Sequence, residues 1–190
     1  MFKRIISGRL QSRLFKGKAL IVLGPRQVGK TTLIKELLNG QDYLFINGDD
    51  PDDRRLLESA GTSRLSALIG RHKIVFIDEA QRIPAIGLTA KIMVDQFPEV
   101  QLILSGSSAL EINDATQEPL TGRKFEYQLY PISWEELESR EGFFKAMQQV
   151  DERLVFGMYR MCSTTVRMLQ KFSDSSVTVT STKMSFPLPV

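Results

Sequence analysis

Gly24-Pro25-Arg26-Gln27-Val28-Gly29-Lys30-Thr31-Thr32 combines residue types and a spacing that can hold a polyphosphate. The glycines let successive backbone N–H groups turn toward one anion with no Cβ in the way. Lys30 can reach β- and γ-phosphate oxygens, and the Thr31 hydroxyl can coordinate Mg²⁺. A second group, Asp78-Glu79, follows about fifty residues later. Asp78 would serve the Mg²⁺ ion by accepting hydrogen bonds from its bound water, and Glu79 would orient and polarise an attacking water. Ser105, or Ser107 beside it, offers a hydroxyl near the γ-phosphate; a serine-rich turn capping the next helix is the plainer reading of Ser105-Gly106-Ser107-Ser108.

These residues need particular elements behind them, and the flanks supply them. Ala19-Leu20-Ile21-Val22-Leu23 is a continuous apolar run, as in a strand buried on both faces. Leu33 to Leu38 has helical apolar spacing and stops at Asn39-Gly40. Strand, glycine-bounded loop, Lys-Thr and helix point to a nucleoside triphosphate, with a chance Gly-Lys-Thr turn between a core strand and a core helix as the bland alternative. Lys73-Ile74-Val75-Phe76-Ile77 ends in the two acids, as a central parallel strand does where its C-terminal edge lines a site. Tyr43–Asn47 and Gln101–Leu104 read as further buried strands, Phe125–Pro131 as a fifth, and Ile86–Phe97 as a crossover helix. Ser133-Trp134-Glu135-Glu136 is a capping box opening a helix to about Ser139, and another helical pattern spans Phe143 to Met158.

Other signals give way to plainer readings. Asp49, Asp50, Asp52 and Asp53 match no calcium loop and read as helix capping plus solvated charge. His72, the lone histidine, reads as a surface or loop residue, and it gives a hydrolase triad little support. No Asn-Lys-x-Asp guanine-reading box follows the fourth strand, which disfavours a GTPase.

The 190 residues, 42% hydrophobic and 25% charged, suffice for one good core, and no apolar run approaches a membrane span. Cys162 is the only cysteine, which excludes an intramolecular disulfide and leaves a reducing cytoplasm as the simplest home. The net charge of +3 conceals a basic N-terminus with no acid before Glu36. A transit peptide would need a spacer before the strand at Ala19, and none exists. The expected form of residues 1–18 is an amphipathic helix with Phe2, Ile5, Ile6, Leu10 and Leu14 inward and its basic residues solvated; a nucleic-acid arm is the alternative.

In GPRQVGKTTL (24–33), NGDDPDDR (47–54), FIDEAQRIP (76–84), LILSGSSAL (102–110) and LTGRKFEYQLYPISWEE (120–136), the chain resembles the prokaryotic AAA_14 group of AAA-type P-loop ATPases, usually joined to a C-terminal DUF4143 domain. The resemblance implies an α/β three-layer sandwich: a parallel five-stranded sheet of order 5-1-4-3-2 with helices on both faces, over residues 19–159. It implies Walker A at Gly24–Thr31, Walker B at Asp78 and Glu79, a sensor hydroxyl at Ser105, and ATP with Mg²⁺ as substrate and cofactor. Arg123 stands where the family keeps a Gly-Arg and would contact phosphate in cis or across a subunit boundary, with a surface arginine as the bland alternative. A homo-oligomer or protein client is implied as partner. From Arg160 the sequence departs from the family pattern, as a frameshifted or truncated product would, and residues 160–190 read as a loosely attached tail. The expectation is an ATPase; the alternatives are a nucleotide-binding module without efficient turnover and a helicase-like fragment suggested by Asp78-Glu79-Ala80-Gln81.

Overall fold

The computed structural model describes residues 3–107 and 120–159. Phe2 and everything from Arg160, including a possible edge strand at Ser175–Thr180, lie outside them. The chain runs through helix α1 (Ser7–Arg13), strand β1 (Ala19–Leu23), α2 (Lys30–Leu37), β2 (Leu44–Asn47), α3 (Pro51–Leu57), α4 (Thr62–Ile69), β3 (Ile74–Asp78), a 3₁₀ turn (Ala80–Arg82), α5 (Ile86–Gln96), β4 (Gln101–Gly106) and β5 (Lys124–Gln128). Helices Trp134–Glu141, Phe143–Gln148 and Val150–Phe156 follow.

The five strands pair in parallel in the order β2-β3-β4-β1-β5, the expected order read from the other edge. Successive side chains of a strand face opposite sides of the sheet, so each run of apolar residues feeds two cores. Ile21, Leu23, Val75, Ile77, Leu102 and Leu104 pack with residues of α3, α4 and α5. Leu20, Val22, Ile74, Phe76 and Ile103 pack on the other face with Leu10, Leu33, Ile34 and Leu38. The result is a three-layer α/β sandwich whose C-terminal strand edge carries every loop of interest. Among the described residues no helix is long and apolar enough to cross a membrane.

Four expectations are corrected. The run Tyr43–Asn47 is not a buried strand: β2 stands at the sheet edge, as the expected order has it, and within it only Ile46 is buried. The N-terminal helix is shorter than expected, with Leu10 its buried anchor and Ile5 53% exposed. Arg4 is not solvated but buried, since Glu136 and two backbone carbonyls take its donors. The pattern from Phe143 to Met158 is two helices, broken at Gln149.

The capping box at Ser133 forms with both reciprocal bonds. Asp50 caps α3 through the Asp52 N–H, and Asp53 accepts the Asn47 N–H at 2.7 Å, so part of the acidic run serves backbone capping. His72 pairs with Asp42 at 2.9 Å.

Candidate functional site

The loop after β1 leaves the sheet at Gly24, whose N–H donates to the Gly106 carbonyl at 3.2 Å. A Cβ there would overlap the Leu129 carbonyl, so only glycine lets the chain turn at this point. Pro25, Arg26 and Gln27 are exposed, while Val28 is buried in the core shared with α2. Gln27 and Gly29 take positive φ, 63° and 96°, and the chain then enters α2 at Lys30. The first N–H groups of α2 have no partner within the helix and carry the positive end of its dipole. Thr31 and Thr32 stand half-buried in that first turn.

Lys30 is buried, and its Nζ donates to the carbonyls of Gly24 and Pro25 at 2.9 and 3.0 Å. Its ammonium therefore lies folded across the loop. Burial lowers its pKa from the ordinary lysine value, Glu79 and Asp78 oppose the shift, and Arg26 adds to it.

The register Ile77↔Leu104 sets Asp78 beside Ser105. Asp78 is 7% exposed: Oδ2 accepts the Thr31 hydroxyl at 2.6 Å, and Oδ1 accepts the fully buried Ser105 hydroxyl. One carboxylate thus joins the phosphate loop to β3 and β4. Glu79 follows with φ 47°, a left-handed conformation that turns its side chain out of the strand direction. Gln81 Nε2 donates to Glu79 Oε2 at 2.6 Å and to Ser107 Oγ at 2.9 Å. Gln81 Oε1 is buried with no hydrogen-bond partner among the described residues.

The structure therefore gathers Gly24 to Thr32, Asp78, Glu79, Ser105 and Ser107 at one sheet edge. Ser105 touches Asp78, whereas Ser107 reaches Glu79 through Gln81. Arg123 is not brought there. Its carbonyl accepts from Ala19 N–H at the N-terminal end of β1, one strand length from the phosphate loop, and its guanidinium pairs with Asp95 at 2.6 Å. The expected cis contact with phosphate is corrected on that geometry.

Residues to which the sequence analysis gave no role at the site complete it. Gly48 donates its N–H to the Asp78 carbonyl at 2.8 Å, and a Cβ on it would overlap the Glu79 carbonyl. Arg4 and Glu136 lie behind Val28. An open groove of about 230 Å³, lined by Arg4, Ile5, Arg9, Gln128 and Tyr130 among others, borders the same region. The signal for Gly48 and Gln81 was their nearness in sequence to strand ends; for Arg4 there was none.

The AAA_14 family model, described as an AAA domain, matches residues 16–138. Uncharacterized proteins of Mycobacterium bovis and Mycobacterium tuberculosis are each 32% identical over 123 residues, 64% of this chain and 27% of theirs. The chain thus spans about a quarter of the length of these curated relatives. Among solved structures, a Walker-type ATPase of Pyrococcus abyssi superposes over 92% of this chain and 77% of its own, with a TM-score of 0.53 and 18% identity, a likeness of fold.

Proposed function

The chain belongs to the AAA_14 family of AAA domains, and on that premise we propose that it is the core of a Mg²⁺-dependent ATPase that cleaves the β–γ phosphoanhydride of ATP to drive or switch a partner. The observation that carries this reading is the 2.6 Å bond from Thr31 to Asp78, which joins the amide cradle to the acidic strand end. A hydroxyl and a carboxylate oxygen in contact are hard donors suited to Mg²⁺, so Thr31 and Asp78 would hold the ion. When bound, Mg²⁺ would offset charge on the β- and γ-phosphates.

The chain's own residues do the rest. The N–H groups of the loop and of the first turn of α2 bind the β-phosphate. Lys30 leaves the Gly24 and Pro25 carbonyls and neutralises charge developing on the transferred phosphoryl group. Glu79 orients a water in line with the γ-phosphorus and takes its proton; the water oxygen bonds to that phosphorus as its bond to the β–γ bridging oxygen breaks, ADP leaves with that electron pair, and the phosphoryl group departs as inorganic phosphate. Ser105 holds Asp78 in place from behind. The groove beside Arg4, with Tyr130 67% exposed at its edge, would receive the base.

Thermal unfolding with Mg-ATP, Mg-ADP and Mg-GTP tests binding. Ligand at a hundred times its dissociation constant should add about 2.7 kcal/mol of stability. Glu79→Gln should keep the ATP-induced shift and lose about 10²–10⁴ in turnover. A variant that turns over normally removes Glu79 from the role of base, and no shift with any nucleotide removes the proposal.

A further inference from the structure

We infer that Arg4 is a positioning residue for the phosphate loop, holding one carbonyl so that the neighbouring amide faces the phosphate; this rests on the reading of residues 24–32 as a nucleotide cradle. Arg4 is 7% exposed. Its Nε lies 3.1 and 3.0 Å from the two Glu136 carboxylate oxygens. Its Nη2 donates to the Tyr130 carbonyl at 2.6 Å, and its Nη1 to the Val28 carbonyl at 3.1 Å. Glu136 is saturated in turn, accepting the N–H groups of Ile5 at 2.8 Å and Ser133 at 3.1 Å.

Val28 is the residue before Gly29, and the peptide unit between them is planar. In a trans peptide the C=O and the following N–H point in opposite directions. Turning the Val28 carbonyl back onto Arg4 therefore turns the Gly29 N–H forward, out of the loop toward the anion. The residues on either side of Val28, Gln27 and Gly29, both take positive φ. A buried ion pair contributes little net stability compared with an apolar pair of similar shape. Its worth here is orientation: the guanidinium fork ties the N-terminal segment, the end of β5 and helix Trp134–Glu141 to a single loop carbonyl.

The test compares the parent chain with Arg4→Met, the pair variant Arg4→Met/Glu136→Leu, and, as a general destabiliser, Leu65→Ala in α4, buried on the opposite face of the sheet from Val28. The pair variant replaces both charges with apolar groups and should melt close to the parent. It should nonetheless bind Mg-ATP and inorganic tripolyphosphate at least tenfold more weakly. Without any ligand, the backbone ¹⁵N order parameters of Val28 and Gly29 should fall from about 0.85 toward 0.6. Leu65→Ala should lower the melting temperature and leave the loop order parameters unchanged. If the pair variant does not fold, Glu136→Gln is read in the same way. Parental affinity and parental loop order in a folded variant overturn the inference. Loop order that depends on Arg4 in a parent that binds neither probe leaves the latch standing and sinks the cradle.

Discussion

Gly48→Ala is the sharpest single probe of how the site is built, because the glycine lies outside both sequence motifs. The added Cβ would overlap the Glu79 carbonyl oxygen and lie 3.0 Å from the Asp78 carbonyl oxygen and the Glu79 carbonyl carbon. These are backbone atoms, so no flexible side-chain end can swing aside. The Gly48 N–H also holds the Asp78 carbonyl at 2.8 Å, which prevents the two segments from simply drifting apart. Restoring ordinary van der Waals distance requires the turn at Glu79 to retreat by roughly 1 Å, a displacement at which a misplaced catalytic group costs about 10²-fold in rate. Overpacking of this kind costs about 1–3 kcal/mol, or a fall in melting temperature of about 2–12 °C for a chain of this size.

The assay pairs thermal unfolding of the nucleotide-free protein with ATP turnover. Gly61→Ala serves as the control, since a Cβ there meets nothing within 4 Å. The control should turn over like the parent and melt only slightly below it, since Gly61 is the N-cap of α4, where alanine costs about 0.5–1 kcal/mol. Gly48→Ala should lose both stability and turnover while still binding nucleotide through the amides of the loop at Gly24 to Thr32, which the added Cβ does not meet. A Gly48→Ala protein with parental melting temperature and parental turnover would refute the reasoning outright.

Lys30 provides a pH test. With its folded pKa depressed by burial, the unfolded chain retains a proton that the folded chain has released, so the free protein gains stability as pH rises from the lowered value toward the ordinary lysine pKa, and loses it as pH falls back through the lowered value. Bound polyphosphate favours the charged ammonium, so nucleotide affinity should weaken through that same alkaline window, with proton uptake visible as a buffer-dependent binding enthalpy; Lys30→Met should abolish the uptake. Gln81→Ala removes the 2.6 Å donor from Glu79 and should lower kcat about tenfold with little change in KM. Ser107→Ala should cost less, and the double variant should match Gln81→Ala alone, because Ser107 reaches Glu79 only through that amide; additive losses would contradict the shared path.

The sheet was legible because its strands announce themselves by composition. Ile74 to Ile77 and Leu102 to Leu104 are apolar on both faces, and only a strand with helices above and below it demands that. Strand β2 misled for the complementary reason. Leu44, Phe45 and Ile46 are as apolar as a central strand, yet the Phe45 ring is 36% exposed, lying against Phe76 and under the Lys35 ammonium. A ring covered by a neighbouring ring and a cation looks, in sequence, the same as one covered by a core. The break at Gln149 was hidden because helical spacing carries across it without an intervening proline or glycine.

The site divides along a similar line. Contacts within one loop and its helix are fixed by local chemistry, so the strand, turn and helix around Gly24 to Thr32 could be read from residue type alone. Contacts between loops depend on which strand lies beside which, and no local pattern encodes that. Asp78 meets Thr31 only because β4 stands between β3 and β1, and Ser105 meets Asp78 only through the β3–β4 register. Arg123 shows the limit most plainly. A Gly-Arg before the last strand suggests a phosphate ligand, but a parallel strand that begins beside Ala19 must begin at the edge away from the cradle. Once β5 is known to run parallel to β1, its first residue and the phosphate loop are separated by the whole length of a strand. The pairing with Asp95 then follows, because α5 descends to that same edge. Sequence type nominates the residues of such a site, and strand order decides which of them meet.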